Sequence, residues 1–201
     1  MARPLRVQVA GAAYHVTARG VARQAIFRTD DDRQRFLSLV ADVAARHEWA
    51  CHAYVLMTTH YHLVVRTPAP DLARGMQRLN ACYAQDFNRR HGETGHRFER
   101  RYHSVLIDDD SHALELIRYL ALNPVRAGAC EDAAGWPWSS YAAIVGRAAK
   151  PRFLAEEWLL TYFGGTRERA LQRLQSFVED VSAGPAPVKG SDPNEALRVG
   201  S

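Results

Sequence analysis

The sequence predicts an α+β domain with a ferredoxin-like antiparallel sheet, helices on one face of that sheet, and a helical extension at the C-terminal end. Two observations support this fold class. Apolar residues alternate between strand-like and helix-like spacing along residues 11 to 123, and the segments follow the order β-α-β-β-α-β-α. That order is typical of the split β-α-β arrangement, in which helices cover an antiparallel sheet.

The first half of this pattern contains three predicted strands and one long helix. Residues 11–19 and 49–57 are rich in β-branched and aromatic residues, as strands are. Residues 30–47 carry apolar side chains at helical spacing, behind three aspartates that we expect to cap the helix. A tight turn at Thr58-Thr59 would join the second strand to a third at residues 60–67.

The second half continues with a long helix, a fourth strand and a further helix. Asp71 is expected to cap the long helix, which runs to about Arg90, and the fourth strand is predicted at residues 101–107. Residues 108–111 are expected to cap a helix that runs from His112 to about Asn123, with Pro124 helping to end it.

Beyond Gly128 the sequence changes character. An aromatic segment, residues 135–141, is expected to fold back on the domain, and two short helices follow at about residues 154–163 and 166–181. The predicted boundaries are residues 1–148 for the domain, 149–182 for the C-terminal helical extension and 183–201 for a disordered tail rich in Pro and Gly.

Composition narrows the class of protein. A chain of 201 residues with 47% hydrophobic and 24% charged residues fits one soluble domain with an appended element. No apolar run approaches the roughly 18 residues of a membrane span, and the basic N-terminus leads into no signal core, so we expect no membrane partner. Three widely spaced cysteines without a CxxC pattern argue against a disulfide framework and favour a cytoplasmic location.

Positive charge is concentrated between Arg74 and His103. This stretch holds seven arginines against three acidic residues, with aromatic residues between them. Arginine binds phosphate in a bidentate manner, and aromatic rings stack on bases, so the stretch predicts a nucleic-acid surface. The alternatives are an ordinary solvated face, and an arginine bias that reflects a GC-rich genome. The candidate DNA-binding residues are Arg78, Arg89, Arg90, Arg97, Phe98, Arg100, Arg101 and Tyr102.

Two histidines on the third predicted strand form half of a candidate metal site. His60 and His62 flank Tyr61, and alternation along a strand directs both imidazoles to one face and the phenol to the other. Taken alone, such a pair is more often structural or incidental. The other histidines are expected at the surface or in contact with DNA, with His103 held in reserve as a ligand because it lies on a neighbouring strand.

The last predicted helix of the domain supplies partners for this pair. Tyr119 and Asn123 are four residues apart and therefore lie on one helical face. If that face meets the histidines, the site has two imidazoles, an amide oxygen as third ligand to Mg²⁺ or Mn²⁺, and a phenol beside the ion. Such a site suits phosphodiester transesterification through a 5′-phosphotyrosine. Tyr83, Tyr102 and Tyr141 are competing phenols.

These motifs carry a resemblance to a known family. The segment His60-Tyr61-His62 resembles the His-hydrophobic-His motif of HUH endonucleases. Together with Tyr119 and the run Asn123–Gly128, it resembles the single-tyrosine transposases of the REP-associated group, over roughly residues 5 to 145 and including residues 87–91 and 95–102. The resemblance implies that Tyr119 is the nucleophile and that Asn123 is the third metal ligand.

The resemblance also implies a substrate, which is single-stranded DNA that carries hairpins of repeated extragenic palindromes. Relatives act as homodimers or as monomers, and both states are open for this chain. Two departures stand out. The family usually has Pro-Asn or Pro-Glu where this chain has Thr58-Thr59, and many relatives have a histidine at the position of Ala121. Neither position carries a role that the metal or the nucleophile requires.

Three functions are therefore open from the sequence. The first is a metal-dependent nickase and strand transferase of single-stranded DNA. The second is a hairpin-binding regulator that keeps the fold but has lost catalysis, against which the intact set of histidines, tyrosine and asparagine argues. The third is a metallohydrolase of small phosphoesters, which would need neither Tyr119 nor the arginine-rich stretch.

Overall fold

A four-stranded antiparallel sheet forms the centre of the computed structural model, which describes residues 8–180. The strands are β1 (Ala12–Arg19), β2 (Ala50–Leu56), β3 (His60–Thr67) and β4 (His103–Ile107). They are arranged in the order β2-β3-β1-β4, with every neighbouring pair antiparallel. This is the strand order of a ferredoxin-like sheet, so the predicted fold class is confirmed.

Six α-helices accompany the sheet within the described residues. They are α1 (Asp30–His47), α2 (Leu72–His91), α3 (Asp110–Arg126), α4 (Ser140–Ile144), α5 (Glu157–Thr161) and α6 (Arg167–Glu179). The predicted bounds of α1 and β3 agree with those of the structure. The two C-terminal helices are shorter than the predicted segments, and the last predicted residue of the second one, Val181, lies outside the described residues.

Helices α1 and α2 cover one face of the sheet. Tyr61 points to this face, where its ring lies 4.6 Å from that of Phe36 and its hydroxyl donates a hydrogen bond of 2.6 Å to Oδ1 of Asn80. Tyr61, Phe36 and Tyr83 are fully buried there. Full burial of such a side chain stabilises the fold by about 1.5–3 kcal/mol, so this aromatic cluster fixes how α1 and α2 sit on the sheet.

The pairing of β1 with β3 decides which side chains share the face of the sheet that α1 and α2 do not cover. Thr17 lies opposite His62, and Arg19 lies opposite His60. On the other side of β1, Thr17 lies opposite His103. Directly opposed residues of antiparallel strands point to the same face, so this row of side chains faces away from α1 and α2.

One buried carboxylate ties the start of α1 to the end of α2. Thr29, and not the three aspartates, is the N-cap of α1, and Asp32 completes its capping box. The Asp32 carboxylate accepts hydrogen bonds from the backbone N–H groups of Arg28 and Thr29, and it pairs with Arg90 at 2.7 Å and His91 at 3.0 Å. Burial raises the pKa of Asp32, but these hydrogen bonds outweigh that effect and hold the pKa below its usual value.

Three expectations about helix and strand ends are wrong. Pro124 does not end α3, which continues to Arg126 and stops before Gly128, whose φ of 67° places it in the left-handed region. Because proline has no backbone N–H, Pro124 removes only one backbone hydrogen bond near the end of α3.

The Asp71 side chain does not cap α2; instead it accepts a hydrogen bond from Trp49 and pairs with His47. Strand β4 begins at His103, two residues later than predicted.

The aromatic segment after α3 folds back on β2, as predicted. Trp136 Nε1 donates a hydrogen bond of 3.1 Å to the carbonyl oxygen of Leu56, and the Leu56 N–H donates one of 3.0 Å to the carbonyl of Trp138. Further along, the Ala155 N–H donates to the carbonyl of Cys51 at 2.8 Å. These bonds cover the outer edge of β2, which protects it from pairing with another chain.

Helix α6 supports α3. The Arg118 guanidinium lies over the ring of Phe177, 3.9 Å from its centroid, and Leu174 and Val178 of α6 are buried. The predicted division between residues 1–148 and an extension at 149–182 stays a prediction. The predicted disordered tail at 183–201 lies outside the described residues. No helix between residues 8 and 180 is both long and apolar enough to cross a membrane.

We expect Asp32→Asn to lower the free energy of unfolding at pH 7 by about 3–5 kcal/mol, because Arg90 and His91 would lose a buried anionic partner. The folded pKa of Asp32 is depressed. Its contribution is therefore complete above the unfolded value of about 3.9 and is lost as the pH falls through the lower folded value. Urea denaturation at pH 7 and in strong acid should show the gap between variant and wild type closing. Asp31→Asn, on an exposed neighbour, is the control and should change little.

We expect Phe177→Ala to loosen α3 as well as α6, because the aromatic ring links the two helices through Arg118. A loss of about 1–3 kcal/mol is expected, since truncating a fully buried Phe costs about 3–5 kcal/mol and Phe177 is half-buried. Amide hydrogen exchange should rise in α3. The exposed Gln172→Ala on the same helix should leave α3 protected, and equal protection in both variants would contradict the supporting role of α6.

Candidate nuclease site

The two histidines of β3 lie side by side on the face of the sheet away from α1 and α2. Their ring centroids are 5.2 Å apart, and the ring planes are nearly perpendicular, at 85°. His62 is 3% exposed, and His60 is half-buried. The alternation of β3 therefore does what the sequence predicts, because it separates these imidazoles from the buried phenol of Tyr61.

Helix α3 brings its tyrosine to this pair. The Tyr119 ring lies edge-on to that of His62, with the centroids 5.4 Å apart and the planes at 80°. Asn123 follows one turn later on the same helical face and is 6% exposed, while Tyr119 is 8% exposed. The expected meeting between this face of α3 and the histidines of β3 is thus present for Tyr119 and His62.

A third histidine, His15 on β1, completes the cluster. Its Nε2 lies 2.9 Å from Nδ1 of His62, and the two rings meet edge to edge, with centroids 5.1 Å apart and ring planes only 14° from parallel. His15 is fully buried. The expectation that it lies at the surface or contacts DNA is wrong, because β1 is a central strand and His15 points to the same face of the sheet as His62. No local pattern of the sequence predicts this contact, which depends on strand pairing.

Thr59 contacts the other member of the pair. Its Oγ1 lies 3.1 Å from Nδ1 of His60. The residue that departs from the usual family pattern is therefore in direct contact with a candidate ligand. In both histidines of β3, the Nδ1 atom faces a polar group of the protein.

The residues present fit a divalent metal ion. Within residues 8–180 no cluster of three His, Cys, Asp or Glu side chains could hold a metal, so an ion at this pair would need an oxygen ligand of another type. Asn123 offers an amide oxygen. Because Nδ1 of His60 contacts Thr59 and Nδ1 of His62 contacts His15, Nε2 is the atom through which each imidazole would bind an ion. Two imidazole nitrogens and one amide oxygen suit Mn²⁺ better than Mg²⁺.

A positive charge lies on the same face of α3 as the tyrosine. Arg126 is seven residues from Tyr119, which is two helical turns. Burial lowers the pKa of Arg126, its interaction with Tyr119 raises it, and the charge of Arg118 lowers it further. This electrostatic contact between Arg126 and Tyr119 was not foreseen from the sequence.

The competing phenols lie in the core. The hydroxyl of Tyr83 donates a hydrogen bond to the carbonyl of Ile26, and burial raises its pKa well above the usual range. Tyr102 is 4% exposed, and Tyr141 is 6% exposed, with burial raising the pKa of Tyr141 to about 12. Of the phenols considered from the sequence, Tyr119 is the one whose ring contacts the histidine pair.

Several of the remaining histidines are also structural, contrary to expectation. His52 is buried and bonds through Nδ1 to the carbonyl of Ala155 at 2.8 Å, and His112 is buried at the start of α3. His47 pairs with Asp71. The reserve ligand His103 is exposed at the start of β4, in the same cross-strand row as His62.

The arginine-rich stretch divides into a structural part and an exposed part. Arg97 is 5% exposed, pairs with Glu93, and lies 4.2 Å from the ring centroid of Phe87. Arg90 pairs with the buried Asp32 at 2.7 Å, whereas Arg89 pairs with Asp86 at 2.8 Å and keeps 77% of its side chain exposed.

The aromatic residues of the stretch are also turned inward. Phe98 packs on the rings of Tyr61 and Tyr83, and Tyr102 is buried. Arg97, Phe98 and Tyr102 are therefore not placed to contact DNA. Arg78, Arg89, Arg100 and Arg101 are exposed and stay candidates.

Comparison with known proteins agrees with this geometry. The family described as "Transposase IS200 like" matches residues 8–122, a span that contains His60, His62 and Tyr119 and ends one residue before Asn123. No curated protein matches the sequence.

Two solved structures are similar to this chain. One is described as the REP-associated tyrosine transposase bound to a REP hairpin; it has a TM-score of 0.62 at 18% identity and covers 77% of this chain and 92% of that chain. The other, a candidate transposase from Deinococcus radiodurans R1, has a TM-score of 0.41 at 15% identity and covers 56% of this chain and 89% of that one. The first supports the fold, and the second is too distant to add to it.

The family match spans more than half of the chain, and the fold agrees with that of a REP-associated tyrosine transposase. The chain therefore belongs to the IS200-like transposase family, a family of DNA-processing proteins.

Proposed function

We propose that this protein is a metal-dependent endonuclease and strand transferase that cuts single-stranded DNA at or near hairpins through a 5′-phosphotyrosine. The observation that carries the proposal is the contact of the Tyr119 ring with His62, whose own ring adjoins that of His60. The family match supports DNA processing. The hairpin substrate rests on the similarity in fold to a protein that is described as bound to a REP hairpin.

Tyr119 is the nucleophile in this proposal. Its Oη forms a bond to the phosphorus, the bond from phosphorus to the 3′ oxygen breaks, and that oxygen leaves and takes up a proton as a 3′ hydroxyl. A phenol with the usual pKa near 10 is mostly protonated at neutral pH, so the attack needs help. The charge of Arg126, two turns along α3, would stabilise a developing phenolate.

His60, His62 and Asn123 would hold the divalent ion, Mg²⁺ or Mn²⁺. When bound, such an ion polarises the scissile phosphate and offsets the negative charge that develops on its oxygens. The side chains of β3 and α3 fix where the phosphate lies relative to Tyr119.

We expect Tyr119→Phe to abolish the covalent adduct while leaving metal binding intact, because only the hydroxyl is removed. A 5′-labelled or 3′-labelled hairpin oligonucleotide is incubated with Mn²⁺ and protein, and adducts are resolved on a denaturing gel. Tyr141→Phe, which removes a phenol outside the site, is the matched control and should keep the adduct. The label position tells which end of the cut strand stays on the protein.

The same assay separates the alternatives. Cleavage that survives Tyr119→Phe would remove this residue as the nucleophile. Hairpin binding by wild type without any cleavage would favour a catalytically silent regulator with the same fold. Release of phosphate from small phosphoesters without an adduct would favour a metallohydrolase.

We expect the double variant Arg100→Gln, Arg101→Gln to bind hairpin DNA more weakly, because both arginines are exposed in the loop just before β4. The slope of log K against log salt should fall in magnitude by about 1–2, the value for one or two lost phosphate contacts. Fluorescence anisotropy over a KCl series with EDTA measures this without cleavage. Arg147→Gln, Arg152→Gln, on two exposed arginines outside the stretch, should keep the wild-type slope.

A further inference from the structure

We propose that His15 is a positioning residue that fixes the ring of His62 in the tautomer able to bind the metal. The inference rests on the proposed function and extends it to a residue of β1 with no role in that proposal. His15 does not touch the ion or the DNA; it acts through His62.

The geometry around His15 is that of a residue built to hold its neighbour. The distance from His15 Nε2 to His62 Nδ1, 2.9 Å, is that of a hydrogen bond between two ring nitrogens. The two ring planes are only 14° from parallel, which places the Nδ1–H of His62 in line with the ring-plane lone pair of Nε2 of His15. His15 is fully buried on β1, one of the two central strands, so its position is set by the sheet on both sides. Both rotation and displacement of the His62 ring are thereby restricted.

The hydrogen bond constrains the protons on both rings. A neutral imidazole carries one proton, and the nitrogen that binds a metal must be the one without it. If His62 coordinates through Nε2, its proton is on Nδ1 and is donated to Nε2 of His15. Nε2 of His15 is then an acceptor, and the proton of His15 is on Nδ1. The opposite arrangement would place a proton on Nε2 of His62 and block coordination.

This division of roles is known chemistry for histidine ligands, whose second ring nitrogen is normally bonded to a carboxylate, a carbonyl or water. Here a second imidazole occupies that place. Thr59, at 3.1 Å from Nδ1 of His60, contacts the equivalent atom of the other ligand.

Two substitutions at His15 separate hydrogen bonding from packing. His15→Gln keeps an acceptor, because the amide oxygen reaches about as far as Nε2, whereas His15→Leu fills the space without one. Calorimetric titration with Mn²⁺ should show binding about 10–100-fold weaker in His15→Leu and within a few-fold of wild type in His15→Gln. His52→Leu is the control. It removes an equally buried histidine of the same sheet that bonds a carbonyl, and it should leave Mn²⁺ affinity unchanged.

A second measurement does not depend on metal binding or on any variant. Long-range ¹H–¹⁵N correlation spectra of the metal-free wild type report which ring nitrogen of each histidine is protonated. We expect protons on Nδ1 of both His62 and His15. A proton on Nε2 of His62 would overturn the inference, even if His15→Leu proved unable to fold.

The two proposals fail in different ways. If wild type binds Mn²⁺ and forms the adduct but His15→Leu binds Mn²⁺ equally well, His15 has no positioning role and the proposed function stands. If wild type binds no Mn²⁺, the metal-dependent function is overturned, and the tautomer of His62 alone decides whether His15 orients that ring.

Discussion

The register between β1 and β3 is the constraint on which the candidate site depends. It sets Thr17 opposite His62 and Arg19 opposite His60, and it brings His15 within hydrogen-bond distance of His62. A shift of one residue would turn every side chain of a strand to the other face. The imidazoles would then enter the aromatic core, and Tyr61 would leave it. The core and the site are thus specified by the same pairing.

The two faces of β3 contact different helices, so their side chains have different surroundings. Tyr61 is held by the aromatic cluster under α1 and α2, with a hydrogen bond to Asn80 that satisfies its hydroxyl. On the other face, α3 brings the ring of Tyr119 against that of His62. The packed core beneath β3 supports the side chains above it, and the proposed metal and nucleophile would need such support to stay in register.

Most of the fold could be predicted because its signals are local. These signals depend only on neighbours in sequence. They are the alternation of side chains along β3, the helical spacing of apolar residues along α1, and the turn at Thr58-Thr59. His15 was missed because its role depends on strand pairing across 47 residues. Arg97 and Tyr102 were misjudged for a related reason, since charge and aromatic composition do not tell whether a side chain points into the core or to solvent. The roles proposed for Tyr119 and Asn123 rest on helical spacing combined with family resemblance.

The arginine-rich stretch shows why composition alone overstates a binding surface. Arg90 of α2 pairs with Asp32 of α1, and Arg97 pairs with Glu93 in the loop before β4. Their charge is already compensated, so it adds little to the field that a phosphate backbone would meet. The exposed Arg100 and Arg101 lie just before β4, which is paired to β1 and therefore fixed relative to His62. In the proposed function, a DNA strand bound by them would lie at a defined distance from the histidines, and DNA affinity would then be linked to placement of the scissile phosphate.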